Sequence, residues 1–290
     1  MTERDRTRVL VLGATGKVGS AVLRRLENRG VQVKAATRSL DKIVVIHPTT
    51  QWVHFDLEQP STFAAALADV SRVFLIARPG DDRPQDVAVP FIDAIRHSGV
   101  EHVVNLTALG TEMRPDFGLY AVEKALEGSG LAFTHLRPNF FMQLFTSGLA
   151  LSQIKNLRQI RVPAGDAALS FIDVNDIADV AVEALLGSRH HRKAYALTGG
   201  ESLSHAEVAA CISQATKRPV EYVALDEEQA RQEIIGAGLP AALADRLTSF
   251  YRIVRTGAGA AVSLAVQEVL GRPPRTFAEF AEANASHWNS

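Results

Sequence analysis

Hydrophobic positions in the first two-thirds of the chain alternate between two patterns. Short, mostly apolar runs occur at Arg8–Leu12, Val31–Thr37, Gln51–Phe55, Arg72–Ala77, His102–Leu106 and Ala132–Leu136 and predict strands. Arg8–Leu12, with no polar residue after Arg8, and Arg72–Ala77 suit strands buried on both faces of a parallel sheet. The intervening segments carry helical periodicity. Val18, Val22, Leu23 and Leu26 share one face while Arg24, Arg25 and Glu27 take the other, and Asn28-Arg29-Gly30 is a stop signal. Pro60–Ala68, Asp86–Ser98 and Asp116–Gly128 predict three further helices. Strand–helix alternation implies right-handed crossovers, hence an α/β architecture with a doubly wound parallel sheet covered by helices on both faces.

The pattern changes after Arg137-Pro138. Asn139–Phe145 is dense in large apolar groups, a helix is expected to Leu157, and Gln159–Val162 is strand-like. Ser170–Asp173 precedes a helix through Leu186, and Ala194–Leu197 reads as a last strand of the main sheet. Beyond Ser202 the chain is predominantly helical, at His205–Thr216, Asp226–Ile235, Pro240–Val254 and Phe277–Ala285, with strand-like Val220–Ala224. The predicted organisation is a nucleotide-type domain over 1–150, its sheet completed from within 169–200, and a smaller, mostly helical substrate lobe over 151–290 packed over the site.

The turn after the first strand is Gly13-Ala-Thr-Gly16-Lys-Val-Gly19. Gly13 permits a tight turn, Gly16 a close backbone approach, and Gly19 close helix–sheet packing; the helix N-terminus then faces a pyrophosphate. G-x-x-G-x-x-G in a first strand–turn–helix predicts a Rossmann dinucleotide site, with Thr15, Lys17 and Val18 completing the turn. The second strand ends in Thr37-Arg38-Ser39, where an NAD site usually carries an acid. Arg38 can grip a 2′-phosphate and Ser39 can add a hydrogen bond, so the expected cofactor is NADP(H). Ligands of such sheets lie beyond the carboxyl ends of the strands. That rule adds Asp56 and Leu57 at the adenine edge, Ala77 and Arg78, and Thr107. Asn139 and Phe140 are expected at the cofactor, and Phe141 and Met142 at the substrate, as a largely apolar wall.

Composition narrows the partners. The 290 residues carry a net charge of −1, which provides no field for nucleic acid or an anionic membrane. No apolar run reaches membrane-spanning length. A lone Cys211 suits a reducing compartment, and charged Met1–Thr7 has no apolar leader pattern, so a cytoplasmic location is expected. The expected partner is a small-molecule substrate; monomer and homodimer are both left open. His190-His191, in the basic stretch Ser188–Lys193, reads as a surface loop, and no metal site is expected.

Tyr120-Ala-Val-Glu-Lys124 places Tyr and Lys on one helix face, with Thr107 just past the fifth strand. A Tyr hydroxyl can protonate a carbonyl or imine as hydride arrives, a Lys can assist it and hold a ribose, and a Thr hydroxyl can orient the acceptor. Tyr120, Lys124 and Thr107 are therefore the catalytic candidates.

G-A-T-G-K-V-G, Asp56-Leu57, V-F-L-I-A, L-T-A-L-G, E-K-A-L-E-G-S-G-L-A-F-T-H-L-R-P-N-F-F-M-Q and S-F-I-D-V-N-D-I-A-D-V-A resemble the NmrA-like branch of the atypical short-chain dehydrogenase/reductases. The resemblance is clearest over residues 8–187. It implies a Rossmann domain with a small C-terminal substrate lobe, NADP(H) binding, and either reduction of a quinone, azo, imine or carbonyl compound in the cleft between the lobes or redox sensing without turnover. Glu123 matches the branch's helix Glu, and Tyr120 falls on a position where the branch varies. Asp173 and Asp176 match a structural turn and helix start.

Overall fold

The computed structural model describes residues 7–43, 47–77 and 83–289. In chain order its strands are β1 (Arg8–Val11), β2 (Gln32–Thr37), β3 (Thr50–His54), β4 (Arg72–Ile76), β5 (His102–Leu106), β6 (Ala132–Pro138), β7 (Gln159–Val162), β8 (Ala168–Leu169), β9 (Lys193–Leu197), β10 (Leu203–Ser204) and β11 (Glu221–Ala224). The α-helices are α1 (Lys17–Asn28), α2 (Phe63–Leu67), α3 (Gln85–Arg96), α4 (Gly118–Glu127), α5 (Gly148–Leu157), α6 (Val174–Leu186), α7 (His205–Thr216), α8 (Glu227–Gly236), α9 (Ala241–Val254), α10 (Ala265–Leu270) and α11 (Phe277–Asn289). Two compact units are formed, Met1–Pro138 with Val174–Ala196, and Asn139–Asp173 with Leu197–Ser290.

The first unit holds a seven-stranded sheet in the order β3-β2-β1-β4-β5-β6-β9. The pairings of β1 with β2 and β4, β2 with β3, and β5 with β4 and β6 are all parallel. The central strands are buried almost throughout, as the aliphatic runs require: Val9, Leu10, Val11, Val73, Phe74, Leu75, Val103 and Val104 are all fully buried. One face packs against α3 and α4 through Phe55, Phe63, Phe91, Ile92, Val122 and Leu126. Phe55, Phe63 and Phe91 meet with ring centroids 4.9–5.6 Å apart, in mixed stacked and edge contacts that add to simple area burial. The segment predicted as one helix from Pro60 is split. Pro60–Thr62 is a 3₁₀ turn, its Thr62 hydroxyl donating to the Gln59 carbonyl at 2.7 Å, and α2 follows.

The second unit is mostly helical around Met142, Phe145, Ile154, Phe171, Val208, Ile212, Phe277, Phe280 and Trp288. The α7 and α8 starts carry capping boxes, Ser204 with Glu207 and Asp226 with Gln229, which satisfy N–H groups that a bare helix end would leave open. Two small ladders tie the helices down, β7 with β11 in parallel and β8 with β10 antiparallel. Among the described residues, no helix is long and apolar enough to cross a membrane.

Candidate dinucleotide-binding site

Each glycine of the β1–α1 turn meets a separate steric demand. Gly13 sits at φ 63°, and a Cβ there would lie 2.9 Å from the Ile76 side chain. The Gly16 N–H donates to the Gly13 carbonyl at 2.8 Å, closing the turn. A Cβ on Gly19 would lie 2.1 Å from the Gly13 carbonyl oxygen, an overlap that no small shift relieves. The backbone therefore comes as close to itself as any side chain would allow. Gly16 serves as N-cap of the twelve-residue α1, so no side chain covers the helix end, and the first turn holds no acid. The result is an exposed cradle of N–H groups at the positive end of a helix dipole, which fits a pyrophosphate. Thr15 and Lys17 are exposed on it, while Val18 and Gly19 are buried beneath.

Strand order sets what stands beside this cradle. The residues that follow β3, β2, β1, β4 and β5 are Phe55-Asp56, Arg38, Leu12-Gly13, Ala77 and Thr107, along one edge of a parallel sheet. With neighbouring strands about 4.8 Å apart, the row from β3 to β5 spans about 19 Å. Arg38 is exposed and makes no ion pair or side-chain hydrogen bond to a described residue; Ser39 is half-buried, its N–H donating to the Thr37 hydroxyl at 3.2 Å. Asp56 is engaged locally: its carboxylate accepts from the Glu58 N–H at 3.1 Å and its own N–H donates to Thr62 Oγ1 at 3.2 Å. Leu57 packs against the first core. Ala77 is half-buried after β4, and Arg78 lies outside the described residues.

At β5 the structure joins Thr107 and Glu123 with Arg137, a pairing that sequence reading does not make. Thr107 is buried, and its hydroxyl donates to Glu123 Oε1 at 2.7 Å. Glu123, on α4, is only 1% exposed. The Arg137 guanidinium, at the end of β6, donates from Nε to Oε1 at 3.0 Å and from Nη2 to Oε2 at 2.7 Å, a forked pair. Burial raises the Glu123 pKa, but the hydrogen bonds from Arg137 and Thr107 outweigh it and hold the carboxyl below its ordinary value. Glu112 stands 3.4 Å from Arg137 on the other side. A signal for this pair was present in the sequence: one acid on an apolar helix face and one base in an apolar strand, fourteen positions apart.

Lys124 is exposed and donates to Glu127 Oε2 at 2.7 Å, a bond that raises its pKa. Its ammonium lies 5.3 Å from the centroid of the Tyr120 ring, over the ring face. The Tyr120 hydroxyl makes no hydrogen bond to a described residue. His135 is fully buried, and the Asn105 amide meets its Nδ1 at 3.4 Å, which leaves the ring proton on Nε2, 3.6 Å from Glu127. Glu123, Glu127 and His135 cluster closely enough to hold a cation. Both Glu123 oxygens and Glu127 Oε2 are, however, already engaged by Arg137, Thr107 and Lys124, while His135 Nε2 makes no hydrogen bond to a described residue.

In the second unit, Asn139 is buried and its amide donates to Ser170 Oγ and to the Gly259 carbonyl, both at 2.8 Å. Phe140 is half-buried, 5.0 Å from the exposed Phe250 ring and 6.4 Å from Tyr251. Phe141 bridges to Ile172 and is half-buried, whereas Met142 is fully buried in the core. Arg161 pairs with Glu233 at 2.6 Å. His190 is buried rather than solvated, with Nδ1 2.9 Å from the Tyr195 hydroxyl.

A parallel sheet in this order, with a glycine turn leading from its central strand into an uncapped helix, defines the dinucleotide-binding class of α/β proteins. Within that class the NmrA-like family model matches residues 5–281, and the chain belongs to that family. It is 38% identical over 285 residues to an NAD(P)H azoreductase of Xenophilus azovorans, covering 96% of this chain and 98% of that one. It is 33% identical over 283 residues to an uncharacterized oxidoreductase of Bacillus subtilis, covering 97% and 96%. The Citrobacter triphenylmethane reductase complexed with NADP(H) superposes with a TM-score of 0.84 at 22% identity, over 96% of this chain and 99% of that one, a likeness of fold.

Proposed function

We propose that this chain is an NADP(H)-dependent oxidoreductase that reduces a small, largely apolar acceptor of the quinone, azo, imine or carbonyl class. The observation that carries the reading is the open glycine cradle beside Arg38, one strand away, whose side chain has no partner among the described residues. NADPH, when bound, supplies the hydride; the chain supplies binding, orientation and a proton route. Gly13, Thr15, Gly16, Lys17, Val18 and Gly19 hold the pyrophosphate, and Arg38 with Ser39 holds the 2′-phosphate by a forked, charge-assisted contact. Asp56 and Leu57 border the adenine, with Ala77 alongside. Lys124 reaches a ribose by leaving Glu127, an exchange open to a long exposed side chain. Tyr120, its hydroxyl unengaged, is the candidate acid. Phe140 and Phe141 offer aromatic surface to a planar acceptor. The 38% identity to an azoreductase over almost the whole chain supports the same reading.

The test is NADPH oxidation with a panel of quinones, azo dyes, cyclic imines and aldehydes. Turnover of at least one class, faster with NADPH than with NADH, is expected. Tight NADPH binding with no turnover of any acceptor would replace the reductase by a cofactor-sensing protein.

A further inference from the structure

The Thr107–Glu123–Arg137 cluster fixes the direction of a hydrogen bond at the edge of β5. Glu123 is charged, because a buried carboxyl takes a forked pair from an arginine only as the carboxylate, and a carboxylate accepts at both oxygens. Thr107 Oγ1 lies 2.7 Å from Glu123 Oε1 and 3.4 Å from the Leu136 carbonyl oxygen. Both neighbours accept and neither donates. A threonine hydroxyl carries one proton, so that proton is turned inward whichever neighbour receives it.

We infer that Glu123, held by Arg137, is a positioning residue that makes Thr107 a hydrogen-bond acceptor only. Thr107 then cannot polarise a substrate carbonyl, quinone oxygen or azo nitrogen, each of which needs a donor. It recognises a group that brings its own proton: a hydroxyl of a ribose, or the N–H of a carboxamide. The location of Thr107 beside the cofactor rests on the proposed reductase reading; the direction of its proton does not. Thr107 accordingly belongs to cofactor placement, and the acid for the acceptor is sought in Tyr120 or in water.

The experiment compares wild type, Thr107→Ser, Thr107→Val, Glu123→Gln and the Thr107→Val/Glu123→Gln double variant, reading NADPH affinity by fluorescence titration and kcat and KM with an acceptor that wild type reduces. Thr107→Val keeps the shape and the Glu123–Arg137 pair, so its fold is preserved. It is expected to weaken NADPH binding about five- to tenfold, the loss of one hydrogen bond, while Thr107→Ser stays within about twofold. In Glu123→Gln one carboxylate oxygen becomes an amide NH2 that must face either Thr107 or Arg137, which loosens the hold on the Thr107 proton, so affinity falls by no more than in Thr107→Val and the double variant is no worse than Thr107→Val. A purely structural Glu123 would lower the melting temperature and leave the Thr107→Val effect intact in the Gln background; that additivity overturns the inference. Thr107→Val with unchanged affinity and turnover overturns it without any need for Glu123→Gln to fold. Failure of wild type to bind NADPH or reduce any acceptor instead sinks the reductase reading, and is seen before any variant is made.

Discussion

At the residue scale, the cradle tolerates very little. Gly19 has no space for even a methyl group, with the Gly13 carbonyl 2.1 Å from where it would be. Gly19→Ala must push α1 away from β1, and forced overpacking of this kind costs about 1–3 kcal/mol. A lower urea midpoint together with weakened NADPH binding is expected; a variant with wild-type affinity would show that the cradle is not the ligand site. Tyr120 makes a different kind of claim, resting on an unengaged hydroxyl. Tyr120→Phe is expected to leave NADPH affinity unchanged. It should lower kcat about 10²-fold for carbonyl or imine acceptors, the lower end of what general acid catalysis supplies, and much less for quinones. Unchanged turnover with a carbonyl or imine would take Tyr120 out of the mechanism.

At the scale of elements, the buried Glu123–Arg137 pair joins α4 to the end of β6. Removing one partner of such a pair leaves an uncompensated charge, whereas removing both does not. Arg137→Met is therefore expected to destabilise the first unit by about 3–5 kcal/mol, and the added change Glu123→Leu to restore much of that. Urea unfolding of the two variants measures it, and equal destabilisation by single and double variants would contradict the account. This pair also shows where sequence reading stops. The strands β1 and β4 are legible because burial on both faces leaves an apolar run unbroken after its first residue, and the turn is legible because glycine spacing maps directly onto backbone sterics. Glu123 is legible in the sequence as the branch's helix Glu but not as half of an ion pair, since nothing in linear spacing says that residue 137 folds back onto residue 123. The helix α10 and the two-residue strands β8 and β10 escaped because such short elements are set by tertiary contacts, not by periodicity. His190 was misread because its loop is basic, while Tyr195, five residues later on β9, draws it inward.

At the scale of the molecule, both units carry buried neutral histidines. Thr134 donates its hydroxyl to the His190 carbonyl at 2.7 Å, so the 2.9 Å contact from His102 Nε2 to that hydroxyl carries the His102 proton. His102 Nδ1 is buried without a hydrogen-bond partner among the described residues. Burial, with His191 and Arg72 nearby, pushes the His102 pKa down to about 3 from 6.5, and burial alone takes His205 in the second unit to about 4. An unfolded chain takes up protons on these rings below 6.5, and the folded chain refuses them until the depressed values are reached. Stability is therefore full above about pH 6.5 and lost as pH falls toward 4, by about 2 kcal/mol per histidine near pH 5. Melting curves across that range check the direction. His102→Gln, which keeps a donor toward Thr134 and cannot be protonated, is expected to melt with a shallower pH slope; a slope equal to that of wild type would assign the acid sensitivity elsewhere.

The central claim is that the edge of the first sheet is built for NADP(H). Its most direct test is a paired titration of wild type and Arg38→Ala with NADPH and NADH, by calorimetry or fluorescence. Wild type is expected to prefer NADPH by at least about tenfold, and Arg38→Ala to erase that preference with NADH affinity unchanged, the signature of one charge-assisted phosphate contact. Equal affinity of wild type for the two cofactors, or a preference that survives the loss of Arg38, would contradict the account.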